Sequence, residues 1–314
     1  MRTAFTTQSL FDAAQALQKG QLVSFPTETV YGLGADATNE DAVLKIYQAK
    51  GRPSFNPLIA HIANLEQAEE IGVFNETARK LVKAFWPGAL TIVVPLQPSH
   101  HISHLVTAGL DSIALRMPAP MRIRQLIEQA GVPIAAPSAN ISGKISPTLA
   151  THVEADLDAA CALILDGGPC EAGLESTIID CSGRDLRILR PGPVTAEMIS
   201  DICPELVNDA APVNDSTPSA PGQLTSHYAP TKPVRLDVTT PDEGDIYIGF
   251  GKSTHQTDFN LSQSGDLHEA AALLFAILHQ ADKADGKAIA IAPIDKNGIG
   301  AAIHDRLMRA AADR

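Results

Sequence analysis

The chain contains the stretch Lys50-Gly51-Arg52-Pro53-Ser54-Phe55-Asn56-Pro57-Leu58, in which two cations precede a proline-fixed turn, an amide and an apolar run. Gly51 and Pro53 take the backbone out of helical geometry, so Lys50 and Arg52 are presented from one loop. Arginine offers a planar fork for phosphate oxygens, and lysine offers a compact point charge. The stretch therefore predicts a nucleotide phosphate site. Considered alone, it is also compatible with a solvated basic loop.

Polar loops follow other predicted strands in the same way. Pro26-Thr27-Glu28-Thr29-Val30-Tyr31-Gly32-Leu33-Gly34 comes after the apolar run Gln21 to Phe25, and Ala136-Pro137-Ser138-Ala139-Asn140-Ile141-Ser142-Gly143 comes after Val132 to Ala135. Two further loops of this type are Ser176-Thr177 and Arg190-Pro191-Gly192-Pro193. Because α/β proteins build their sites at the carboxyl ends of strands, these loops are predicted to converge on one pocket.

The remaining pattern predicts alternating helices and strands up to about residue 205. Helices are predicted over residues 9–19, 40–49, 76–85 and 120–130, with Asn39 and Asn75 as N-caps and with Gly20 and Gly131 after two of the helix ends. Strands are predicted near residues 21–25, 58–62, 90–95, 112–116, 132–136, 161–165, 176–180 and 186–190. This is the pattern of one layered α/β domain over residues 1–205.

The composition then changes. Residues 206–232 are rich in Ala, Pro, Ser, Thr and Asp and poor in large apolar residues, which predicts a semi-extended linker. Strands near 234–238, 245–250 and 288–292 and helices near 267–281 and 299–312 follow. They predict a small parallel-sheet domain over residues 233–314. It carries no phosphate-binding glycine fingerprint, so its fold alone assigns it no catalytic role.

The composition argues against a nucleic-acid-binding surface. The chain has 314 residues, of which 45% are hydrophobic and 4% aromatic, and its formal net charge is -12. A chain of this length buries a large core and is expected to form two domains. Scarce aromatics and an acidic balance disfavour a base-stacking surface or a polyanion as the main partner, although a local basic cleft can still hold a nucleotide.

Neither a targeting segment nor a membrane span is predicted. Residues 1–7 lack the apolar core of a signal peptide, and the longest apolar run, Ala270 to Leu278, is too short to cross a bilayer. The protein is therefore expected in the cytoplasm. Cys161, Cys170, Cys181 and Cys203 lack paired metal-type spacing and are expected to be buried, reduced thiols, with a zinc site or a disulfide as the alternative.

Taken together, the loop motifs resemble those of the threonylcarbamoyl-AMP synthase family, the YrdC-like enzymes, in their longer two-domain form. The resemblance rests on Pro26-Thr27-Glu28-Thr29-Val30-Tyr31-Gly32-Leu33, Lys50/Arg52/Asn56 with His61, Ser138-Ala139-Asn140, Glu175-Ser176-Thr177, Arg190-Pro191-Gly192, and Pro221-Gly222 with His227-Tyr228-Ala229-Pro230. It covers nearly the whole chain. It implies an α/β fold, with a YrdC-like twisted mixed sheet and flanking helices plus a smaller C-terminal α/β parallel-sheet domain.

The resemblance implies an enzyme, a nucleotidyltransferase that joins L-threonine, bicarbonate and ATP into L-threonylcarbamoyl-adenylate and releases pyrophosphate. This is the first step of threonylcarbamoyladenosine modification of tRNA next to the anticodon. The product would pass to the tRNA threonylcarbamoyl-transfer machinery, without stable direct binding of tRNA. Mg²⁺ would arrive with ATP, carried by phosphates and water. No enzyme nucleophile is needed, because the carbamate of threonine attacks the α-phosphate; Lys50 and Arg52 would act as phosphate and transition-state cations.

The resemblance also assigns roles to individual residues. The implied ATP contacts are Lys50, Arg52, Asn56, Ser112, Ser138, Asn140, Ser146, Arg190 and Tyr228. The implied threonine contacts are Thr27, His61, Arg116, Ala136 and Ser176, and no protein-held metal is implied. Between Gly222 and His227 the chain reads Gln223-Leu224-Thr225-Ser226, where many relatives carry a methionine and a lysine, which weakens any claim that the linker supplies a phosphate cation.

Simpler interpretations exist for several of these residues. Residues 26–29 could form only a strand-terminating turn, His61 could be a core histidine, Arg116 could pair with a nearby carboxylate, and Tyr228 could pin the linker by packing on the first domain. His100, His101 and His104 are interpreted as a flexible polar loop rather than a metal site, because no acidic or cysteine ligand accompanies them.

Two other functions remain open from the sequence. One is an RNA-binding module with a concave groove, for which binding with a steep salt dependence would be the sign. The other is a carbamoyl-transfer domain of the hydrogenase-maturation type, which shares the YrdC-like fold and would turn over carbamoyl phosphate.

Overall fold

The protein is described here by a computed structural model that covers residues 1–207, 220–222, 225–253 and 255–313. The strands are β1 (Arg2–Ala4), β2 (Val23–Pro26), β3 (Tyr31–Asp36), β4 (Ile59–His61), β5 (Leu90–Pro95), β6 (Ser112–Arg116), β7 (Ile134–Ala135), β8 (Leu163–Asp166), β9 (Thr177–Asp180), β10 (Leu186–Arg190), β11 (Leu206–Val207), β12 (Val234–Arg235), β13 (Asp245–Gly249), β14 (Phe259–Asn260) and β15 (Ala288–Ile291). The helices are α1 (Thr7–Gln18), α2 (Glu40–Lys50), α3 (Leu65–Ile71), α4 (Glu76–Phe85), α5 (His104–Thr107), α6 (Met121–Ala130), α7 (Ala150–Leu157), α8 (Ala196–Ile202), α9 (Leu267–Lys283) and α10 (Gly300–Ala311).

One large mixed sheet forms the first part of the molecule. Among the described residues its strand order is β1-β8-β2-β3-β7-β4-β6-β5-β9-β10-β11. The sheet contains parallel pairs such as β4/β6 and β5/β9 and antiparallel pairs such as β2/β3 and β5/β6. The prediction of a mixed sheet with flanking helices is confirmed. Because β11 pairs with β10, the sheet extends two residues past the predicted boundary at residue 205.

The predicted helix ends are confirmed in their chemistry. The Asn39 and Asn75 side chains accept hydrogen bonds from the backbone N–H groups of Ala42 and Ala78, at 3.1 and 2.8 Å, and so cap α2 and α4. Gly131 ends α6 in the left-handed conformation with φ 74°. Apolar residues of α1 and α6 pack together with β2, while α2 and α4 contribute to a second core cluster. The sheet is thus covered by helices on both faces.

Strand β3 was missed because it contains glycines where a strand pattern normally has large residues. A Cβ atom at Gly34 would lie 2.5 Å from the Phe25 ring and 2.9 Å from Ile134. Glycine is therefore required for the neighbouring strands β2 and β7 to approach β3. The same closeness brings the loop after β2 beside the loop after β7.

A separate four-stranded sheet forms the C-terminal part. Its order is β12-β15-β13-β14 and all its described pairs are parallel, as predicted. Helices α9 and α10 bury their apolar faces in the same core cluster as this sheet. The predicted linker falls largely on residues outside those described, including 208–219 and both Gln223 and Leu224. No helix in the described part of the chain is long and apolar enough to cross a membrane.

The two parts share a core. Val30, Ile145, Leu174 and Tyr228 belong to the apolar cluster that otherwise consists of residues from α9, α10 and the small sheet. Helix α9 lies directly against Gly173, where an added Cβ would meet the Ala271 carbonyl oxygen at 2.4 Å. The C-terminal part is therefore docked on the loops that follow β2 and precede β9.

This docking predicts a specific cost for Gly173→Ala. The substitution places an L side chain at a position with φ +68°, and its Cβ would clash with the α9 backbone. Gly109→Ala is the matched control, because Gly109 has φ +80° with no atom within 4 Å of an added Cβ. Both variants should lose about 1 kcal/mol of unfolding free energy from backbone strain. Gly173→Ala should lose a further ~1–3 kcal/mol from overpacking, measured by urea unfolding. Equal losses would contradict the close docking.

Candidate active site

The predicted loops converge on one cavity. Its wall is formed by the loop after β2, the carboxyl ends of β4, β6 and β10, the loop after β7, the residues just before β9, and the linker. The lining residues include Thr27, Thr29, Arg52, His61, Arg116, Ala136, Ser138, Glu175, Ser176, Arg190, Gly222, His227 and Tyr228. The cavity thus brings together most of the motifs that the sequence singled out, and three of its arginines are more than 90% buried.

Five of the predicted ATP contacts lie outside this lining set. They are Lys50, Asn56, Ser112, Asn140 and Ser146. Four of these five are buried behind the wall, where they hold other groups in place. Ser112 instead begins β6, the strand that ends at Arg116.

Arg52 is held by its own loop. Its guanidinium donates to the Asn56 side-chain oxygen at 2.6 Å, to the Asn56 carbonyl at 3.1 Å and to the Pro57 carbonyl at 2.8 Å. Burial lowers the pKa of Arg52 to about 10, so the side chain stays charged near neutral pH. Asn56 therefore positions Arg52. The loop of residues 51–58, called the grip loop below, presents one rigid cation to the cavity.

Lys50 joins two of the loops. Its ammonium donates to the carbonyl of Ser138 at 2.6 Å and to the carbonyl of Asn140. Burial, with the neighbouring Arg52 cation, holds the pKa of Lys50 well below its usual value. Asn140 in turn donates to the carbonyls of Ile141 and Lys144, at 2.8 and 2.9 Å. These contacts give Lys50 and Asn140 a loop-holding function, and their contact with ATP stays a prediction.

Thr27 organises the turn after β2. Its hydroxyl donates to the Val30 carbonyl at 2.7 Å and accepts from the N–H groups of Thr29 and Val30, both at 3.2 Å. The simpler interpretation of this motif as a turn is therefore correct for its hydrogen bonding, and the turn also lines the cavity.

His61 and Arg116 are neighbours on parallel strands, where the β4/β6 register places them opposite each other. Arg116 forms an ion pair with Glu28 at 2.8 Å and donates to the Gly88 carbonyl at 3.3 Å. Burial, and then the Arg116 charge, lower the pKa of His61 to about 3. The histidine is thus neutral, and its Nδ1 has no hydrogen-bond partner among the described residues.

Ser176 and Arg190 form the opposite wall. Arg190 donates to the Ser176 hydroxyl at 3.1 Å and to the Ser176 carbonyl at 2.9 Å, and Thr91 shares a 2.7 Å hydrogen bond with the same hydroxyl. Arg190 also reaches the carbonyl of Pro221 in the linker at 3.4 Å. One arginine therefore ties the start of β9 to the segment that covers the cavity.

Glu175 and Arg306 are site residues to which the sequence analysis assigned no role, although Glu175 belongs to one of its motifs. Glu175 lines the cavity, accepts a hydrogen bond from the Ser146 hydroxyl and forms an ion pair with Arg306 at 2.8 Å. Burial opposes ionisation of Glu175, but Arg306, Arg190 and the Ser146 hydrogen bond outweigh it and lower the pKa. A signal was present, since Arg306 interrupts the apolar stripe of α10 formed by Ala302, Ile303, Leu307 and Ala310.

Tyr228 closes the cavity from the linker. Its ring packs 5.4 Å from Phe275 of α9 and lies under the Arg306 guanidinium at 5.3 Å, so it packs on the C-terminal part rather than on the first domain alone. Its hydroxyl is buried without a hydrogen-bond partner among the described residues. An added Cβ at Gly222 would lie 2.9 Å from that hydroxyl, which explains the glycine there.

The remaining candidates lie elsewhere. His104 begins the short helix α5, and the His100 ring accepts a hydrogen bond from the Ile102 N–H at 3.1 Å. Cys161, Cys170, Cys181 and Cys203 are buried. Within the described ranges, no three side chains of the His, Cys, Asp and Glu types come together as metal ligands would.

Sequence comparison identifies relatives along nearly the whole chain. A family model described as "Telomere recombination" matches residues 15–192, and one described as "Threonylcarbamoyl-AMP synthase, C-terminal domain" matches residues 194–312. The chain is 42% identical to threonylcarbamoyl-AMP synthase from Bacillus subtilis, over 96% of this chain and 92% of that protein. It is 40% identical to threonylcarbamoyl-AMP synthase from Pyrococcus abyssi, over 96% of this chain and 94% of that protein.

The fold gives the same result. The crystal structure of P. abyssi Sua5 complexed with L-threonine matches with a TM-score of 0.88 and 37% sequence identity, over 99% of this chain and 96% of that one. The match includes both sheets, because it spans the two parts of the chain. Cavity motifs, family models and fold agree, and the chain belongs to the threonylcarbamoyl-AMP synthase family.

Proposed function

We propose that this protein synthesises L-threonylcarbamoyl-adenylate from L-threonine, bicarbonate and ATP and releases pyrophosphate. The observation that carries the proposal is the convergence of three buried arginines, Arg52, Arg116 and Arg190, with neutral polar side chains on one cavity. The threonine amine takes up carbon dioxide derived from bicarbonate, and the carbamate oxygen then attacks the α-phosphate. Such a reaction needs aligned substrates and cations that stabilise the departing pyrophosphate.

The nucleotide is proposed to lie along β6 and the grip loop. Ser112, Ala114 and Arg116 alternate along β6 and so point to one face of the sheet. Ser112 and Arg116 are four residues apart, or roughly 13 Å, which separates a nucleoside end from an amino-acid end. Arg52, Arg190, Ser138 and Tyr228 would contact ATP, while Lys50, Asn56, Asn140 and Ser146 hold the loops that carry these contacts. Ala220 of the linker packs on this face beside Ala114, so it would move when ATP binds.

The threonine end is proposed at Thr27, His61, Arg116, Ala136 and Ser176. Arg116 is the natural partner for the substrate carboxylate because its guanidinium can bind both oxygens. Its present partner, Glu28, would then lie near the threonine ammonium. A neutral His61 suits this position, since a second cation beside Arg116 is disfavoured by burial.

Mg²⁺ is proposed to enter on the ATP phosphates. Glu175 lines the cavity and Glu28 lies between the lining residues Thr27 and Thr29; these two carboxylates are already paired with Arg306 and Arg116. Magnesium commonly keeps several waters and binds through substrate phosphates, so these carboxylates need not hold it directly. The product would be consumed by a threonylcarbamoyl transfer to tRNA in the cytoplasm.

The proposal predicts pyrophosphate release from ATP that requires both threonine and bicarbonate. Serine lacks one methyl group, so its kcat/KM should be about 10- to 200-fold lower than that of threonine, yet measurable. A coupled pyrophosphate assay with each amino acid, with and without bicarbonate, provides the measurement. Release that depends on neither substrate contradicts the proposal, and complete inactivity with saturating serine contradicts the pocket assignment.

The same preparation separates the two alternative functions. Turnover of carbamoyl phosphate without a need for threonine would indicate the carbamoyl-transfer reaction instead. Tight tRNA binding with a steep salt dependence would indicate an RNA-binding module.

The buried histidines predict acid lability. His61 and His152 have pKa values lowered to about 3, chiefly by burial, whereas an unfolded histidine titrates near 6.5. The unfolded chain therefore binds protons that the folded chain excludes, so stability is lost as pH falls from 6.5 towards 3. His61→Asn should reduce the slope of the unfolding free energy against pH by about 1.4 kcal/mol per pH unit between pH 6 and 5. Gln129→Asn, at an exposed position and without a titratable group, is the control and should leave the slope unchanged.

Tyr228→Phe tests the cover of the nucleotide site. It removes the unpartnered hydroxyl but keeps the ring on Phe275 and Arg306. The KM for ATP should rise about 3- to 10-fold, the value of one hydrogen bond, while the unfolding free energy stays within ~0.5 kcal/mol. Tyr247→Phe is the control. It deletes a 3.1 Å hydrogen bond to Val238 in the small sheet and should lower stability without changing that KM. An unchanged KM for Tyr228→Phe would remove this residue from the nucleotide site.

A further inference from the structure

Arg306 is a fully buried cation that crosses from one part of the protein to the other. It lies on α10 with 0% exposure, and its Nε donates to the Glu175 carboxylate at 2.8 Å. A second nitrogen donates to Asp305 at 2.6 Å, and the guanidinium lies 5.3 Å from the centre of the Tyr228 ring. The C-terminal part therefore reaches the wall of the cavity through one charged side chain.

Glu175, the partner of Arg306, lies in the wall of the cavity. Glu175 lines the cavity beside Ser176, which Arg190 holds in place. The Glu175 carboxylate oxygen that does not face Arg306 accepts a hydrogen bond from the Ser146 hydroxyl. Without a cation beside it, Glu175 would place a negative charge in the wall of a cavity that is proposed to hold a triphosphate. Like charges separated by a few ångströms in a buried site repel strongly.

A purely structural explanation is weak on physical grounds. Replacing a buried ion pair by well-packed apolar residues often leaves stability unchanged or improves it, because two charges must be removed from water. The neighbours of Arg306 on the same stripe, Ile303 and Leu307, are apolar and fully compatible with such a replacement. Retaining a charged pair at the cavity wall thus indicates a requirement of the site.

We propose that Arg306 is a positioning residue of the nucleotide site, which neutralises Glu175 and holds Tyr228 so that the C-terminal domain completes the cavity. The inference rests on ATP being the substrate, as in the proposed function. It assigns the C-terminal domain a direct electrostatic contribution to nucleotide binding.

The test uses three full-length variants: the single variant Arg306→Met, the double variant that combines Glu175→Gln and Arg306→Met, and the control Arg235→Met. Each is compared with the unchanged protein. Arg235 is the matched control because it pairs with Asp242 and Asp245 and lies on β12, an edge strand of the C-terminal sheet. The readouts are equilibrium binding of a non-hydrolysable ATP analogue with Mg²⁺, thermal unfolding, and the separate KM values for ATP and threonine.

The proposal expects Arg306→Met to weaken nucleotide binding by roughly 10- to 100-fold, as for loss of a charge-assisted hydrogen bond, with little change in the KM for threonine. The affinity of the double variant for the ATP analogue should recover to within about threefold of the unchanged protein, since the uncompensated carboxylate is gone. Such a recovery is a coupling of the size seen for residues in contact. Arg235→Met should match the unchanged protein. A purely structural role would shift thermal unfolding and both KM values together, without recovery in the double variant, and would overturn the proposal.

If Arg306→Met fails to fold, Arg306→Lys and Arg306→Gln make the same comparison between a charged and a neutral polar side chain. The neutral variant should bind the analogue at least tenfold more weakly than the charged one, which follows from charge alone. Equal affinities would overturn the proposal. Because the binding readout needs neither threonine nor bicarbonate, an unchanged protein that binds ATP but releases no pyrophosphate refutes only the proposed function.

Discussion

The burial of positive charge beside neutral oxygens is the interaction on which the site depends. Lys50 is held by the carbonyls of Ser138 and Asn140, Arg52 by Asn56 and Pro57, and Arg190 by Ser176. Carbonyl and amide oxygens satisfy the donors of a cation but do not cancel its charge. These side chains therefore leave a net positive potential in a place with little water. An anion such as a triphosphate is the ligand that this potential favours.

Carboxylates are used where the charge must be cancelled. Arg116 meets Glu28 and Arg306 meets Glu175, both at 2.8 Å. The cations held by neutral oxygens give one region of the cavity an excess of positive charge. The cations paired with carboxylates mark two places where the charge is balanced. The balanced pair at Arg116 lies at the end proposed for threonine, which brings its own carboxylate and ammonium and can exchange partners with that pair. An amino acid is a zwitterion, so each of its charges can meet an opposite charge of this pair, which offsets the cost of removing it from water.

Much of the fold was predictable because the local chemistry of the sequence and the burial pattern indicate the same helices and strands. Asn39, Asn75 and Gly131 mark helix ends by the same contacts that the sequence implies. The described strand pairs of the small C-terminal sheet are parallel, as predicted, although only α9 lies between two of its strands in the described part of the chain. The failures have physical causes. Strand β3 needs glycine for close approach to Phe25, which hides its pattern. The loop-holding contacts of Lys50 were not predictable, because Ser138 and Asn140 lie 88 and 90 residues away in the sequence. Arg306 was missed because its partner, Glu175, is 131 residues away in the sequence.

The shared core explains why the C-terminal part is integral to the site rather than appended to it. Val30 and Leu174 lie next to the turn and the strand that carry cavity residues, yet they pack in the same cluster as Phe275 and Ile303. Displacing α9 and α10 would therefore expose apolar surface on the cavity loops themselves, at about 25 cal/mol per Å² of apolar area. Tyr228 also has a positive φ of 61°, which marks a backbone that the surrounding contacts hold in place.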